Sequence, residues 1–177
     1  MGAVEIAKQL QLNFLRQLFN VASSCPRPAL RSEAGVLSIK HQIYKANLNL
    51  LFHIRSLQDP SLAKQVYDQQ LKYSWPGLVQ EGQEICEKLG IPDVTKVKAD
   101  KLELKNMVKK ACREEDEKEL KDKIMKLDKL TLIKDDDTNR KKYIETMSLS
   151  NTRIMFRHRT RMTENAGNYK GRAKYKG

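Results

Sequence analysis

The sequence predicts an all-α protein, an irregular helical array with a flexible basic C-terminal tail. Apolar residues recur at intervals of three and four along most of the chain, which places them on one face of an α-helix. The 177 residues carry a formal net charge of +12. Residues 140–177 hold eleven Lys or Arg and only two acids, which accounts for nine of those charges. A weak alternation at Val36, Leu37 and Ile39 is the one signal for a strand.

Residues 1–24 form the first predicted segment, an N-terminal helix. Its predicted core face consists of Ala7, Leu10, Phe14, Leu18 and Val21. Pro26 and Pro28 follow, and proline lacks a backbone N–H and restricts the residue before it. We therefore expect a linker over residues 25–38, closed near Gly35.

Residues 39–98 are predicted to form a central helical body. The stripe of its first helix comprises Ile43, Ala46, Leu50, Ile54 and Leu57, and His53 is expected in or beside the core. Asp59 and Pro60 suit the N-cap and first turn of the next helix. Trp75-Pro76-Gly77 predicts a turn, and Gly90 is a good terminator for the helix that follows.

Residues 99–164 are expected to be a charged helical extension that ends in an arginine-rich helix. The run from Arg113 to Lys123 is nearly all charged, which is typical of the exposed face of one long helix or a helical pair. A loop around Asp135–Asp137 should precede a short helix near Tyr143 and a last one over 151–163. Residues 165–177 have no periodicity, and we expect them to be disordered.

Patterns that carry chemistry are missing from the sequence. The three cysteines are far apart, no glycine motif could cradle phosphate, and no histidine has a partner at metal-ligand spacing. We therefore expect no catalytic residue, no metal site and no cofactor. No window of about 20 apolar residues could span a membrane, and the N-terminus lacks signal-peptide features. A nuclear or cytoplasmic protein, not a secreted one, is expected.

The C-terminal arginines are the candidate binding site. Arg153, Arg157 and Arg161 fall at i, i+4 and i+8 of the last helix, with Arg159 to one side. Because guanidinium forks match phosphate oxygens, this spacing favours a nucleic-acid backbone as partner. A second row of Ile154, His158 and Met162 could dock on the body of the protein. The further candidates for nucleic-acid binding are Tyr169, Lys170, Arg172 and Lys174. An aromatic ring among basic residues can stack on an unpaired base. A solubilising tail and an acidic membrane surface remain alternatives, although no apolar anchoring face supports a membrane.

Four segments, in this order, resemble the region after the polymerase domain in reverse transcriptases of non-LTR (LINE-type) retrotransposons. They are CPRPALRSEAGVLSIKHQIYK (25–45), NLLFHIRSL (49–57), WPGLVQEGQEICEKLGI (75–91) and MSLSNTRIMFRHRTRMTENAGNYK (147–170). The resemblance implies a helical thumb-and-connector segment that grips template and primer, so RNA or an RNA–DNA hybrid is favoured. It also implies a polymerase domain as a second partner.

The sequence departs from that family at two points. The aromatic-x-Asp-Asp motif of the polymerase is missing, and so is the Cys-x-x-Cys pair of the zinc knuckle that follows GN[FY]K in the family. We therefore expect a fragment of such a protein that still binds nucleic acid but has no polymerase or nuclease activity. The alternatives are a helical protein-interaction module, which would expose a large apolar patch, and a non-functional remnant, which would not melt cooperatively.

Overall fold

The computed structural model describes residues 2–58, 61–97, 100–127 and 142–160, and these residues form helices and no strand. The all-α prediction is therefore confirmed for this part of the chain, while the predicted tail at 165–177 lies outside it. The helices are α1 (Ala3–Phe19), α2 (Arg27–Ala34), α3 (Ile39–Arg55), α4 (Leu62–Tyr73), α5 (Leu78–Leu89), α6 (Lys101–Met125), α7 (Lys142–Thr146) and α8 (Leu149–Arg159).

The chain divides into two compact units. The first unit comprises residues 1–38 and 117–177, and the second comprises residues 39–116, so their boundary falls within α6. Each unit has a hydrophobic cluster of its own.

In the second unit, α3 packs against α4 and α5. Its buried residues include Leu48, Leu51 and Phe52, together with Val108 and Cys112 from α6. A Cβ on Gly82 would lie 2.1 Å from a methyl carbon of Leu51, so α5 needs glycine to approach α3 this closely.

The predicted stripe of α3 is wrong at Leu50, although Ile54 of the same stripe packs against the core cluster. Leu50 is 46% exposed and His53 is also exposed, whereas His41 and Leu48 are fully buried. This helix carries apolar residues around most of its circumference, so the periodicity did not determine which side faces the core.

Two helix ends of the second unit can be compared with the caps that the sequence predicts. Gly90 adopts the left-handed conformation (φ 63°) and ends α5, as predicted. For α4, Ser61 is the N-cap, and its hydroxyl accepts a hydrogen bond from the backbone N–H of Lys64 at 3.2 Å. The predicted cap, Asp59, lies outside the described residues together with Pro60.

In the first unit, α1 packs against α2 and α8. Leu12, Leu15 and Phe19 of α1 are buried with Phe156 of α8, and the rings of Phe19 and Phe156 stack with centroids 4.0 Å apart. Leu10 and Phe14, which the predicted face of α1 included, are 64% and 63% exposed. The prediction is wrong at these two positions, whereas Leu18 and Val21 of the same predicted face pack against the core cluster. Helix α1 is apolar on more than one side, and the core covers the side of Leu12, Leu15 and Phe19.

The predicted linker at 25–38 is also corrected, because it contains helix α2. Pro26 is its N-cap residue and Pro28 lies in its first turn, where a missing N–H leaves no hydrogen bond unmade. Leu30 and Glu33 are fully buried, so this helix is part of the core. Gly35 ends α2 with a φ of 60°, and Val36–Ser38 form no strand.

Candidate nucleic-acid interface

Helix α8 carries the described part of the predicted arginine stripe. Ser148 caps its N-terminus, accepting a hydrogen bond from the backbone N–H of Asn151 at 3.4 Å. Thr152 and Phe156 form its buried face. Of the row that could dock on the body, Ile154 is 58% exposed and His158 is exposed, so these two face solvent instead. Met162, the third member of the row, lies outside the described residues.

Arg153 and Arg157 bind the C-terminal end of α1. The Nε of Arg153 donates to the carbonyl oxygen of Leu18 at 2.9 Å, and its Nη2 donates to that of Gln17 at 3.4 Å. The Nη2 of Arg157 donates to the carbonyl oxygen of Asn20 at 2.8 Å. The last carbonyls of a helix have no donor within the helix, so these guanidinium groups add donors at the end of α1. The carbonyl of Gln17 also accepts a hydrogen bond from the backbone N–H of Asn20.

Arg16 joins them at the same place. Its Nη2 donates to the carbonyl oxygen of Ser23 at 3.1 Å. The guanidinium groups of Arg16, Arg153 and Arg157, called the arginine cluster below, therefore all bind backbone oxygens of residues 17–23. Carbonyl groups are neutral, and no carboxylate forms an ion pair with these arginines in the described part of the chain. Among the described residues, nothing therefore neutralises the three positive charges of the cluster.

Arg159 has a different partner. Its Nε lies 3.1 Å from Oε1 and 3.0 Å from Oε2 of Glu33, a carboxylate with no exposed surface. The Tyr143 hydroxyl donates a short hydrogen bond to the same carboxylate. Because an ion pair neutralises its charge, Arg159 does not add to the surface potential as Arg153 and Arg157 do.

Five of the predicted site residues lie outside the described part of the chain: Arg161, Tyr169, Lys170, Arg172 and Lys174. Of the others, the structure brings Arg153 and Arg157 together and turns Arg159 towards the core. The sequence prediction missed Arg16, which lies 137 positions before Arg153. Its one local signal is its place in the last turn of α1, where cations are favoured by the helix dipole.

The three cysteines and a histidine–aspartate pair are buried titratable groups outside the arginine cluster. Burial raises the pKa of Cys25 to about 11, and the positive charge of Arg16 offsets part of that effect. Burial likewise raises the pKa of Cys112 to about 11. In the second unit, His41 Nδ1 lies 2.8 Å from Oδ1 of Asp116, and both side chains are buried.

A group of metal ligands and a membrane-spanning helix are both absent from the residues that the structure describes. No three His, Cys, Asp or Glu side chains there come together in a group that could hold a metal ion. None of the helices in these ranges is both long and apolar enough to cross a membrane.

The chain matches no protein-family model, and no curated protein and no solved structure shows significant similarity to it.

Proposed function

We propose that the protein binds nucleic acid through the phosphate backbone, with RNA or an RNA–DNA hybrid as the preferred form. The observation that carries this proposal is the arginine cluster, in which three guanidinium groups hold their positions on neutral carbonyl oxygens. The net charge of +12 supports an anionic partner. The preference for RNA rests on the resemblance to non-LTR reverse transcriptases.

The geometry suits phosphate because only part of each guanidinium is in use. A guanidinium has five N–H donors. Arg157 uses one nitrogen and Arg153 uses two, and both side chains are half-buried, so N–H groups of each remain for a ligand. Since the carbonyl bonds already fix the side chains, binding phosphate costs little further conformational entropy. Contacts of this kind position a backbone and read no sequence.

A salt titration of binding tests the proposal. The full chain is titrated with single-stranded RNA, an RNA–DNA hybrid and duplex DNA, and compared with a variant carrying Arg153→Gln and Arg157→Gln. For single strands each lost phosphate contact reduces the salt slope by about 0.7, so the double variant should lose about 1.4. An unchanged slope would refute the role of the cluster.

Two control variants separate charge from structure. Lys64→Gln with Lys88→Gln removes the same charge from lysines that form i,i+4 ion pairs in the second unit, and should leave the slope nearly unchanged. Arg153→Lys with Arg157→Lys keeps both charges but weakens the hold on α1. If binding follows charge, the lysine variant retains most of the slope. If it follows the fold of α8, both arginine variants lose binding equally.

A second candidate function, self-association, is favoured by the exposed face of α1. Ala3, Ala7, Leu10 and Phe14 follow one another at spacings of four, three and four, the spacing of a helix-pairing seam. The seam contains no charge, and Leu10 and Phe14 are more than 60% exposed. In an antiparallel pair centred on Leu10, Phe14 of one copy would lie opposite Ile6 of the other, because each is four residues from the centre.

Sedimentation over a wide range of protein concentration tests this candidate. The seam presents few large apolar side chains, chiefly Leu10 and Phe14, so the dimer should be weak. Leu10→Glu should abolish it without unfolding the protein, because this side chain faces solvent. A chain that remains monomeric at every concentration would exclude self-association through α1.

A further inference from the structure

The second unit presents a pair of exposed aromatic rings that the arginine cluster does not explain. Tyr73 and Trp75 stack with ring centroids 5.4 Å apart and planes inclined by 24°. Tyr73 is 52% exposed and Trp75 is 55% exposed. Large aromatic side chains usually gain stability by burial, so a stacked pair left in solvent has a face available for a ligand.

The backbone of the corner between α4 and α5 creates this pair. Residues i and i+2 of a continuous helix do not face each other. Here α4 ends at Tyr73, and Ser74 adopts a left-handed conformation with a φ of 52°. That reversal brings the ring of Trp75 beside the ring of Tyr73. Pro76 then restricts the backbone of Trp75.

The corner is held in place by Gln70. Its Oε1 accepts a hydrogen bond from the backbone N–H of Val79 at 3.3 Å, at the start of α5. A Cβ on Gly77 would lie 2.5 Å from the Nε2 of Gln70, so the side chain packs directly on the glycine. These contacts connect α4 to α5 around the turn and preorganise the two rings.

A lysine lies next to the rings. The Nζ of Lys72 is 5.0 Å from the centroid of Tyr73, and no carboxylate pairs with it in the part of the chain that the structure describes. A single strand offers a planar base and a phosphate at every nucleotide. Aromatic rings beside a cation fit that combination, because the base stacks on the ring and the phosphate meets the charge.

We propose that Tyr73, Trp75 and Lys72 form a stacking site for an unpaired base of single-stranded nucleic acid. The exposed face of Trp75 receives the base, Tyr73 supports the indole from behind, and Lys72 contacts the adjoining phosphate. This inference rests on the proposed nucleic-acid binding but concerns a different surface. It favours single strands over duplexes, because a paired base has no free face.

The fluorescence of Trp75 tests the site directly, since it is the protein's one tryptophan. The full chain is titrated with a labelled single-stranded RNA of about 10 nucleotides and with an abasic strand of the same length. Anisotropy of the label reports binding, and indole emission reports stacking. We expect RNA to quench the emission of Trp75 and the abasic strand to bind without quenching it.

Substitutions give a second readout. Trp75→Ala should weaken RNA binding about 10-fold, and Trp75→Phe should restore most of it because a ring remains. The matched control is Leu62→Ala, which removes a side chain that is 75% exposed at the other end of α4 and should leave affinity unchanged. Because these side chains face solvent, the variants should fold, and circular dichroism verifies that they do.

Each other outcome overturns the inference in a distinguishable way. RNA that binds without quenching, and with equal affinity for Trp75→Ala, removes the stacking site but leaves the proposed function intact. Equal quenching by the abasic strand means that charge, not stacking, changes the emission. A blue shift on raising protein concentration alone means that the rings bury against a second chain. If neither strand binds, the stacking site and the proposed function both fail.

Discussion

Replacing Arg159 by Leu should destabilise the first unit by about 3 kcal/mol, the lower end of the cost of breaking a buried ion pair. The value follows from the geometry of the pair. Glu33 is completely buried, and the guanidinium of Arg159 lies about equally far from both of its oxygens. Arg159 itself is 21% exposed, so its loss removes the compensating charge but opens no large cavity.

A second substitution separates the charge from the packing. Glu33→Gln in the Arg159→Leu background removes the uncompensated charge while keeping the shape of the side chain. The double variant should therefore recover about 2 kcal/mol of that loss, a coupling within the range seen for contacting residues. The remaining loss, about 1 kcal/mol, reflects imperfect hydrogen bonding of the buried amide.

Urea unfolding followed by far-ultraviolet circular dichroism measures the free energies, and amide hydrogen exchange in α2 and α8 locates the change. The control is Lys8→Gln, which breaks an exposed ion pair with Glu5 in the same unit and should cost less than about 0.5 kcal/mol. If Arg159→Leu costs no more than that control, Glu33 is solvated and the reasoning fails.

Three further changes test other parts of the fold. Phe156→Ala should lower the free energy of unfolding by about 3–5 kcal/mol, because the ring is fully buried against Phe19; urea midpoints measure it. Cys25 should resist thiol reagents at pH 8 until urea unfolds the chain, since burial raises its pKa to about 11 and the thiolate is the reactive form. Burial alone would raise the pKa of Asp93, but hydrogen bonds from Thr95, Lys96 and Gln83 together outweigh it and lower the pKa below its ordinary value of 3.8. Asp93 therefore stabilises the fold above that pH and loses this effect as pH falls through its lowered pKa, so Asp93→Asn should flatten the acid limb of a stability–pH curve.

The sequence predicted helix positions and helix ends correctly where a local signal is compatible with only one structure. Gly90 ended α5 as predicted because few other residues adopt its left-handed conformation at so little cost. The short helix near Tyr143 and the last helix were also placed correctly to within a few residues. In each case a turn signal and helical spacing agreed.

Prediction failed where two physical outcomes share one pattern. Proline can break a helix or stand in its first turn, and Pro28 lies in the first turn of α2. In α1, one set of spacings points to Leu10 and Phe14, and another points to Leu12 and Leu15. Only packing against Phe156, more than 130 positions away, determines which set is buried.

The arginines of the candidate site are ambiguous in the same way, because the sequence does not show which acceptor each of them binds. One planar group with five donors can bind a phosphate, a carboxylate or the carbonyls at a helix end, so the spacing of Arg153, Arg157 and Arg159 does not identify the acceptor. What separates them is the charge of the acceptor. Glu33 neutralises Arg159 and fixes it as a structural residue, whereas the carbonyl oxygens that hold Arg153 and Arg157 leave both charges intact. Structural use and phosphate binding are therefore compatible at these two positions. A lysine there would keep the charge but lose the fork that holds α1, which is why the lysine variants distinguish the two roles.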